Sequence, residues 1–180
     1  MNSSRQEVAV LGGGCFWCLE AIFLALKGVA SVRPGYCGGA LEDPDYDSVC
    51  SGKTGHAEVV EIYFDPQILA YRTLLEYFFA SHDPTTVDRQ GHDVGSQYRS
   101  VIFTQSAAQY ACAQSVISDL NEALGEDGPV VTQLVEEGIF YPAEHYHSEY
   151  FTRNPNNPYC SAVIAPKLQK FRERYPDAMR

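Results

Sequence analysis

Two cysteines, Cys15 and Cys18, stand directly behind a triple glycine in the run Leu11-Gly12-Gly13-Gly14-Cys15-Phe16-Trp17-Cys18-Leu19-Glu20. A thiolate is the reactive form of cysteine, and a second thiol one helical turn away can close a disulfide with it. The run before the pair, Glu7-Val8-Ala9-Val10-Leu11, reads as a short buried strand. After it, to about Lys27, Leu19, Ile22, Phe23 and Leu26 share one helical face. Strand, glycine turn and helix place Cys15 at or near a helix N-terminus, where unpaired N–H groups favour thiolate over thiol. Redox or nucleophilic chemistry is therefore expected there. Half a zinc site and two inert thiols are the alternatives. A structural zinc needs a second ligand pair at similar spacing, and Cys37, Cys50, Cys112 and Cys160 supply none.

Other groups could serve such a nucleophile. Glu58 heads an apolar strand and is either a solvated edge residue or a partly buried acid with a raised pKa. Asp93 and Tyr98 lie in the polar, turn-rich stretch 83–100, which is either a solvated loop or part of a site. Tyr46, in Pro44-Asp45-Tyr46, is a possible hydrogen-bond donor. Glu144, His145 and His147 hint at a metal, but a hydrogen-bonded packing role for His147 fits better. Cys37, Cys50 and Cys112 sit among apolar or small residues and read as inert structural thiols.

The elements that must position these groups follow from hydrophobic period and turn residues. Strands are expected at about 7–11, 29–35, 58–64, 99–104 and 130–136. Helices are expected at about 16–27, 68–81, 106–124 and 162–174, with another opened by Pro142 and carrying Glu144 to His147. The core order β-α-β-β-α-β predicts an α+β fold, a ferredoxin-like split βαβ sandwich covered mainly on one face by two helices. Extra helical segments and two long loops, through Gly55 and from His82 to Tyr98, surround that core.

The chain has 180 residues and no linker or repeat, so one domain spanning 1–180 is expected. A net charge of −10 argues against nucleic acid and against an acidic membrane surface as partners. No apolar signal region precedes Glu7 and no run is long enough to span a membrane, so a cytoplasmic protein is expected.

Taken together, the motifs resemble one family. They are Gly13-Gly14-Cys15-Phe16-Trp17-x-x-Glu20, Gly35-Tyr36-x-Gly38-Gly39, Pro44-x-Tyr46, Val49-Cys50-Ser51-Gly52-x-Thr54-Gly55-His56-Ala57-Glu58, His82-Asp83-Pro84, Gln90-Gly91-x-Asp93-x-Gly95-x-Gln97-Tyr98-Arg99-Ser100 and Ala143-Glu144-x-Tyr146-His147. In that order they are similar to peptide methionine sulfoxide reductase A. The resemblance implies reduction of the S epimer of methionine sulfoxide, free or in proteins. It implies Cys15 as the nucleophile that becomes a sulfenic acid, and Glu58 as the acid that protonates the sulfoxide oxygen. Tyr46 and Tyr98 then hydrogen-bond that oxygen, Asp93 belongs to the same polar network, and Phe16 and Trp17 wall the substrate methyl group. Thioredoxin is the implied reductant. No cofactor and no metal are expected, and the chain is expected to act as a monomer.

The commonest family motif has Gly where this chain has Cys18, and many members resolve the sulfenic acid with a C-terminal cysteine. Here the C-terminal candidate is Cys160, and the tail behind it reads as an ordered helix. Cys18 is favoured as the resolving thiol over Cys160. Two rival readings stay open: a thioredoxin-type thiol–disulfide oxidoreductase using Cys15 and Cys18, and a metal-binding module.

Overall fold

The computed structural model describes residues 5–180; residues 1–4, part of the segment read above as lacking a signal region, lie outside them. β1 (Glu7–Gly12) leads through the glycine turn into α1 (Phe16–Leu24), followed by β2 (Val29–Cys37), α2 (Tyr46–Cys50) and β3 (Ala57–Phe64). α3 (Tyr71–Ala80) precedes a small hairpin of β4 (Arg89–Gln90) and β5 (Asp93–Val94). β6 (Val101–Thr104), α4 (Ala107–Leu124), β7 (Gln133–Glu136) and β8 (Tyr141–Pro142) come next, then α5 (Tyr150–Arg153) and α6 (Ala165–Arg174).

The main sheet runs β7-β6-β1-β3-β2-β8. Its four central strands pair antiparallel, and β7 joins β6 in parallel after the α4 crossover. β3 is therefore inserted between β1 and β2, and β1 between β3 and β6. The α+β class follows from this mixture of sheet and helices.

Strand alternation assigns the faces. Ala9 and Leu11, Val60, Ile62 and Phe64, and Ile102 pack on the side that carries α1, α3, α4 and α6, represented by Leu19, Phe78, Val116 and Leu168. Four helices cover this face rather than the two expected. Val10, Val59, Val101 and Phe103 point the other way, against Phe140. Glu58 shares parity with Val60, Ile62 and Phe64, so it points under the helices.

Several boundaries differ from the sequence reading. α1 stops at Leu24 because the chain must turn at Gly28, which has φ +90, before β2. Pro142 does not open a helix. It ends an edge strand paired with Gly35 and Tyr36, where a missing N–H costs nothing, and His145–His147 form one 3-10 turn. The last helix is preceded by a π-helical turn at Cys160–Ile164. The loop expected through Gly55 holds α2, whose start is capped by Asp45 accepting from the Ser48 N–H.

Candidate active site

The glycine turn after β1 brings Cys15 up against three other segments. A Cβ on Gly13 would lie 2.9 Å from the His82 ring, and one on Gly14, which has φ +95, would lie 2.7 Å from Gln90 Cγ. Only glycine permits the conformation at Gly14 and the approach at both. Cys15 is the N-cap of α1, extended at φ −62 and ψ 127, with its carbonyl accepting from the Cys18 N–H at 3.1 Å.

Beneath this first turn lies Glu58, 1% exposed. Its Oε1 accepts from the Phe16 N–H at 3.2 Å, and its Oε2 has no partner among the described residues. Burial, reinforced by the charges of Asp93 and Cys18 and opposed by the Phe16 N–H, pushes the carboxyl up to about 8. Of the two readings left open for this residue, the buried acid is the one the fold produces.

Cys15 is partly accessible. Its thiol is pushed well above the ordinary range by burial, by a hydrogen bond with Cys18 and by the charge of Glu58. The Trp17 N–H pulls the other way. The amide of the helix N-terminus thus acts as the sequence implies, but the expectation that it governs the thiol is corrected: loss of water around sulfur outweighs it. Cys18 is shifted down, chiefly because Cys15 hydrogen-bonds to it. Cys18 also packs with Cys160 and Ile164 in a small buried cluster that Cys15 and Tyr159 border. The structure therefore brings all three candidate thiols together.

Tyr46 and Tyr98 arrive from α2 and from the 3-10 turn Ser96–Tyr98. Both phenols are raised, first by burial and then by the charge of Glu58, which puts each close to the acid. Asp93, on the β4–β5 hairpin, accepts from the Tyr159 hydroxyl at 2.6 Å, and that hydroxyl lies 3.9 Å from Cys18 Sγ. Tyr159 thus connects the acid network to the second thiol. The sequence reading missed it because Pro158-Tyr159-Cys160 drew attention only to the cysteine.

Phe16 is fully buried, with ring centroids 5.0 Å from His147 and 5.8 Å from Tyr36. Trp17 is partly exposed. It lies parallel to Tyr150 at 3.8 Å and 6°, and its Nε1–H donates to His147 Nδ1 at 3.0 Å. The packing role expected of His147 is the one it has. Glu144 accepts from the Tyr36 hydroxyl at 2.9 Å and from the Tyr46 N–H at 3.0 Å, so it braces α2 against β2. Of the three remaining cysteines Cys37 is buried, Cys112 half-buried and Cys50 exposed, with Cys50 hydrogen-bonded to the Tyr46 phenol. Cys50, read above as an inert structural thiol among small residues, is exposed where α2 ends.

A cysteine with a second thiol in contact and a buried, protonatable carboxyl beside it defines a thiol-dependent oxidoreductase. Comparison with known proteins narrows this class. The family model for peptide methionine sulfoxide reductase matches residues 7–179. The peptide methionine sulfoxide reductase MsrA of Chromobacterium violaceum is 54% identical over 170 residues, covering 94% of this chain and 97% of that protein. Among solved structures, methionine sulfoxide reductase A of Corynebacterium diphtheriae superposes with a TM-score of 0.81 at 32% identity, over 87% of this chain and 78% of that one. Reduced Mxr1 from Saccharomyces cerevisiae gives 0.81 at 30% identity, over 88% and 91%. The chain belongs to the peptide methionine sulfoxide reductase family, oxidoreductases that return methionine sulfoxide to methionine.

Proposed function

We propose that the protein reduces the S epimer of methionine sulfoxide, free or within proteins, with Cys15 as nucleophile. The Cys15 sulfur attacks the sulfoxide sulfur while Glu58 delivers a proton to the oxygen, which cannot leave as a bare oxide. The hydroxyl then shifts to the Cys15 sulfur as its bond to the substrate sulfur and the new S–S bond both break, so methionine departs with the S–S electron pair and Cys15 is left as a sulfenic acid. Two electrons pass from Cys15 to the substrate. Tyr46 and Tyr98 hydrogen-bond the oxygen, Asp93 belongs to the same polar network, and Phe16 and Trp17 receive the methyl group.

Cys18 then attacks the sulfenic acid, water leaves, and a Cys15–Cys18 disulfide forms. Its contact with Cys15 and its lowered pKa favour Cys18 over Cys160 for this step. A thioredoxin dithiol reduces the disulfide; yeast Mxr1 has been solved in complex with Trx2. No cofactor or metal enters the cycle. The chain works as a single catalytic domain and a monomer in the cytoplasm; among the described residues no helix is long and apolar enough to cross a membrane.

The observation that carries this reading is the buried Glu58 carboxyl anchored by the Phe16 N–H directly behind Cys15. The test is mass spectrometry after one equivalent of methyl sulfoxide without reductant. One methionine per chain and a peptide linking Cys15 to Cys18 are expected. A disulfide lacking Cys15 overturns the nucleophile, and a Cys15–Cys160 link overturns the resolving assignment.

A further inference from the structure

α6 carries a basic face in an acidic chain. Lys167, Lys170 and Arg174 recur at helical spacing on one side of it and line an open cavity of about 640 Å³. The net charge of the chain is −10, yet among the described residues none of these three cations pairs with a carboxylate. Asp83 is the one acid on the cavity wall, and its carboxylate is engaged by Thr85, accepting from that N–H at 2.9 Å. An unneutralised row of cations beside a cavity is a surface shaped for negative charge.

The cavity adjoins the reactive segment. His82 and Gln90 also line it, and these are the side chains against which Gly13 and Gly14 pack, immediately before Cys15. The basic face therefore begins beside the turn that presents Cys15. Lys167 stands near enough to Cys18 for its charge to help lower that thiol's pKa. The length of the row selects an occupant. Lys167 and Arg174 are about 10 Å apart along a helix that rises about 1.5 Å per residue. A single phosphate or carboxylate cannot span that row, whereas an extended peptide covers it in about three residues.

We propose that this cavity is a docking site for acidic residues that flank methionine sulfoxide in a protein substrate, with Lys167, Lys170 and Arg174 pairing with their carboxylates. This rests on the reading of Cys15 given above. With the sulfoxide at Cys15, the flanking chain runs past Gly14 and Gln90 into the cavity. Charge then speeds encounter and tightens binding, while the step at sulfur is the same for every substrate.

The test compares free methionine sulfoxide with two peptides, one carrying Asp and one carrying Lys on both sides of the sulfoxide. Methionine release without reductant is followed at limiting substrate. The wild type is expected to favour the Asp peptide over the Lys peptide about fivefold, the factor for two exposed ion pairs. That preference shrinks in about 1 M salt, where charges are screened within a few Å. The double variant Lys170→Glu/Arg174→Glu is expected to lose or reverse it; Lys167 is left in place because it acts on Cys18. A wild type without the preference overturns the proposal, and so does a charge-reversed variant that keeps it. Charge reversal that slows only thioredoxin-driven turnover assigns the face to the reductant and also overturns it. Should the double variant fail to fold, Lys170→Gln/Arg174→Gln decides: the preference must fall to within about twofold, and its retention overturns the proposal. Release from free methionine sulfoxide by the wild type, and its loss in Cys15→Ser, test the underlying reading separately.

Discussion

The Phe16 N–H donates to Glu58 Oε1 across 3.2 Å, so the proposed acid is tied to the residue that follows the proposed nucleophile. The two groups proposed to share a sulfoxide are thus held by one backbone amide. Phe16 is fully buried and β3 is central in the sheet, so neither end of this link is free to drift.

The link sets a pH dependence. Glu58 titrates at about 8, below a Cys15 thiol held well above its ordinary range. Attack needs the reverse distribution, thiolate on Cys15 and proton on Glu58. That form carries as many protons as thiol plus carboxylate, so one internal proton transfer creates it. It is populated only after one of the two protons has left. Single-turnover methionine release is therefore expected to rise as pH climbs through about 8 and to fall only beyond the thiol's own titration. Rapid-quench measurement across this range checks it, and a rate that falls steadily from neutral pH upward would contradict the assignment.

Glu58→Gln separates acid from anchor. The amide oxygen can still accept from Phe16, but no proton can be delivered, and single-turnover release is expected to drop about 10²–10⁴-fold. Stability moves the other way. The folded-state pKa of Glu58 lies above its unfolded value, so its favourable contribution is full in acid and lost as pH rises through about 8. At alkaline pH the Gln variant is expected to melt above the wild type, and a lower Tm there would contradict the burial argument.

Tyr159→Phe removes the hydroxyl between Asp93 and Cys18. Tyr159 lowers the Cys18 pKa, so its loss is expected to raise it. Methionine release should be nearly unchanged while disulfide formation slows about tenfold, the scale of a lost hydrogen bond to a charged group. Following the two steps by quench and thiol trapping distinguishes them. Slower release with an unaffected second step would show that Tyr159 serves the sulfoxide instead.

Gly14→Ala tests the turn. At φ +95, with a Cβ 2.7 Å from Gln90 Cγ, the substitution is expected to cost about 1–3 kcal/mol, read as a lower denaturation midpoint. Release of methionine should fall too, because the strain is relieved by moving Cys15. Equal stability and rate would mean that the turn has slack.

Much of this arrangement is visible in the chain itself. Period-2 alternation in Glu58-Val59-Val60-Glu61-Ile62 assigns Glu58 to the face of Val60 and Ile62, and the helical period of Leu19, Ile22 and Phe23 finds α1. Whether Glu58 is wet or dry does not follow from alternation, because it depends on α1 crossing over the head of β3. Pro142 misled for a local reason: a proline fits both the first turn of a helix and a strand edge, and only pairing with Gly35 decides. The Cys15 thiol misled for a distant one. The helix terminus is local and readable, while the Glu58 charge and the loss of water come from other segments. Tyr159 and Cys18 are 141 residues apart, beyond any motif.

Cys15 is partly accessible, whereas Cys18 and Cys160 are 4% and 0% exposed. A bond between Cys15 and Cys18 therefore has one open end. An incoming thiol must strike along the S–S axis, and the reachable sulfur is Cys15. Cys18 is then the departing sulfur, and its lowered pKa makes it the better leaving group. On the proposed cycle the disulfide is directional: the atom that takes oxygen from the substrate also receives the reductant's sulfur, and both halves of that cycle enter through a single doorway.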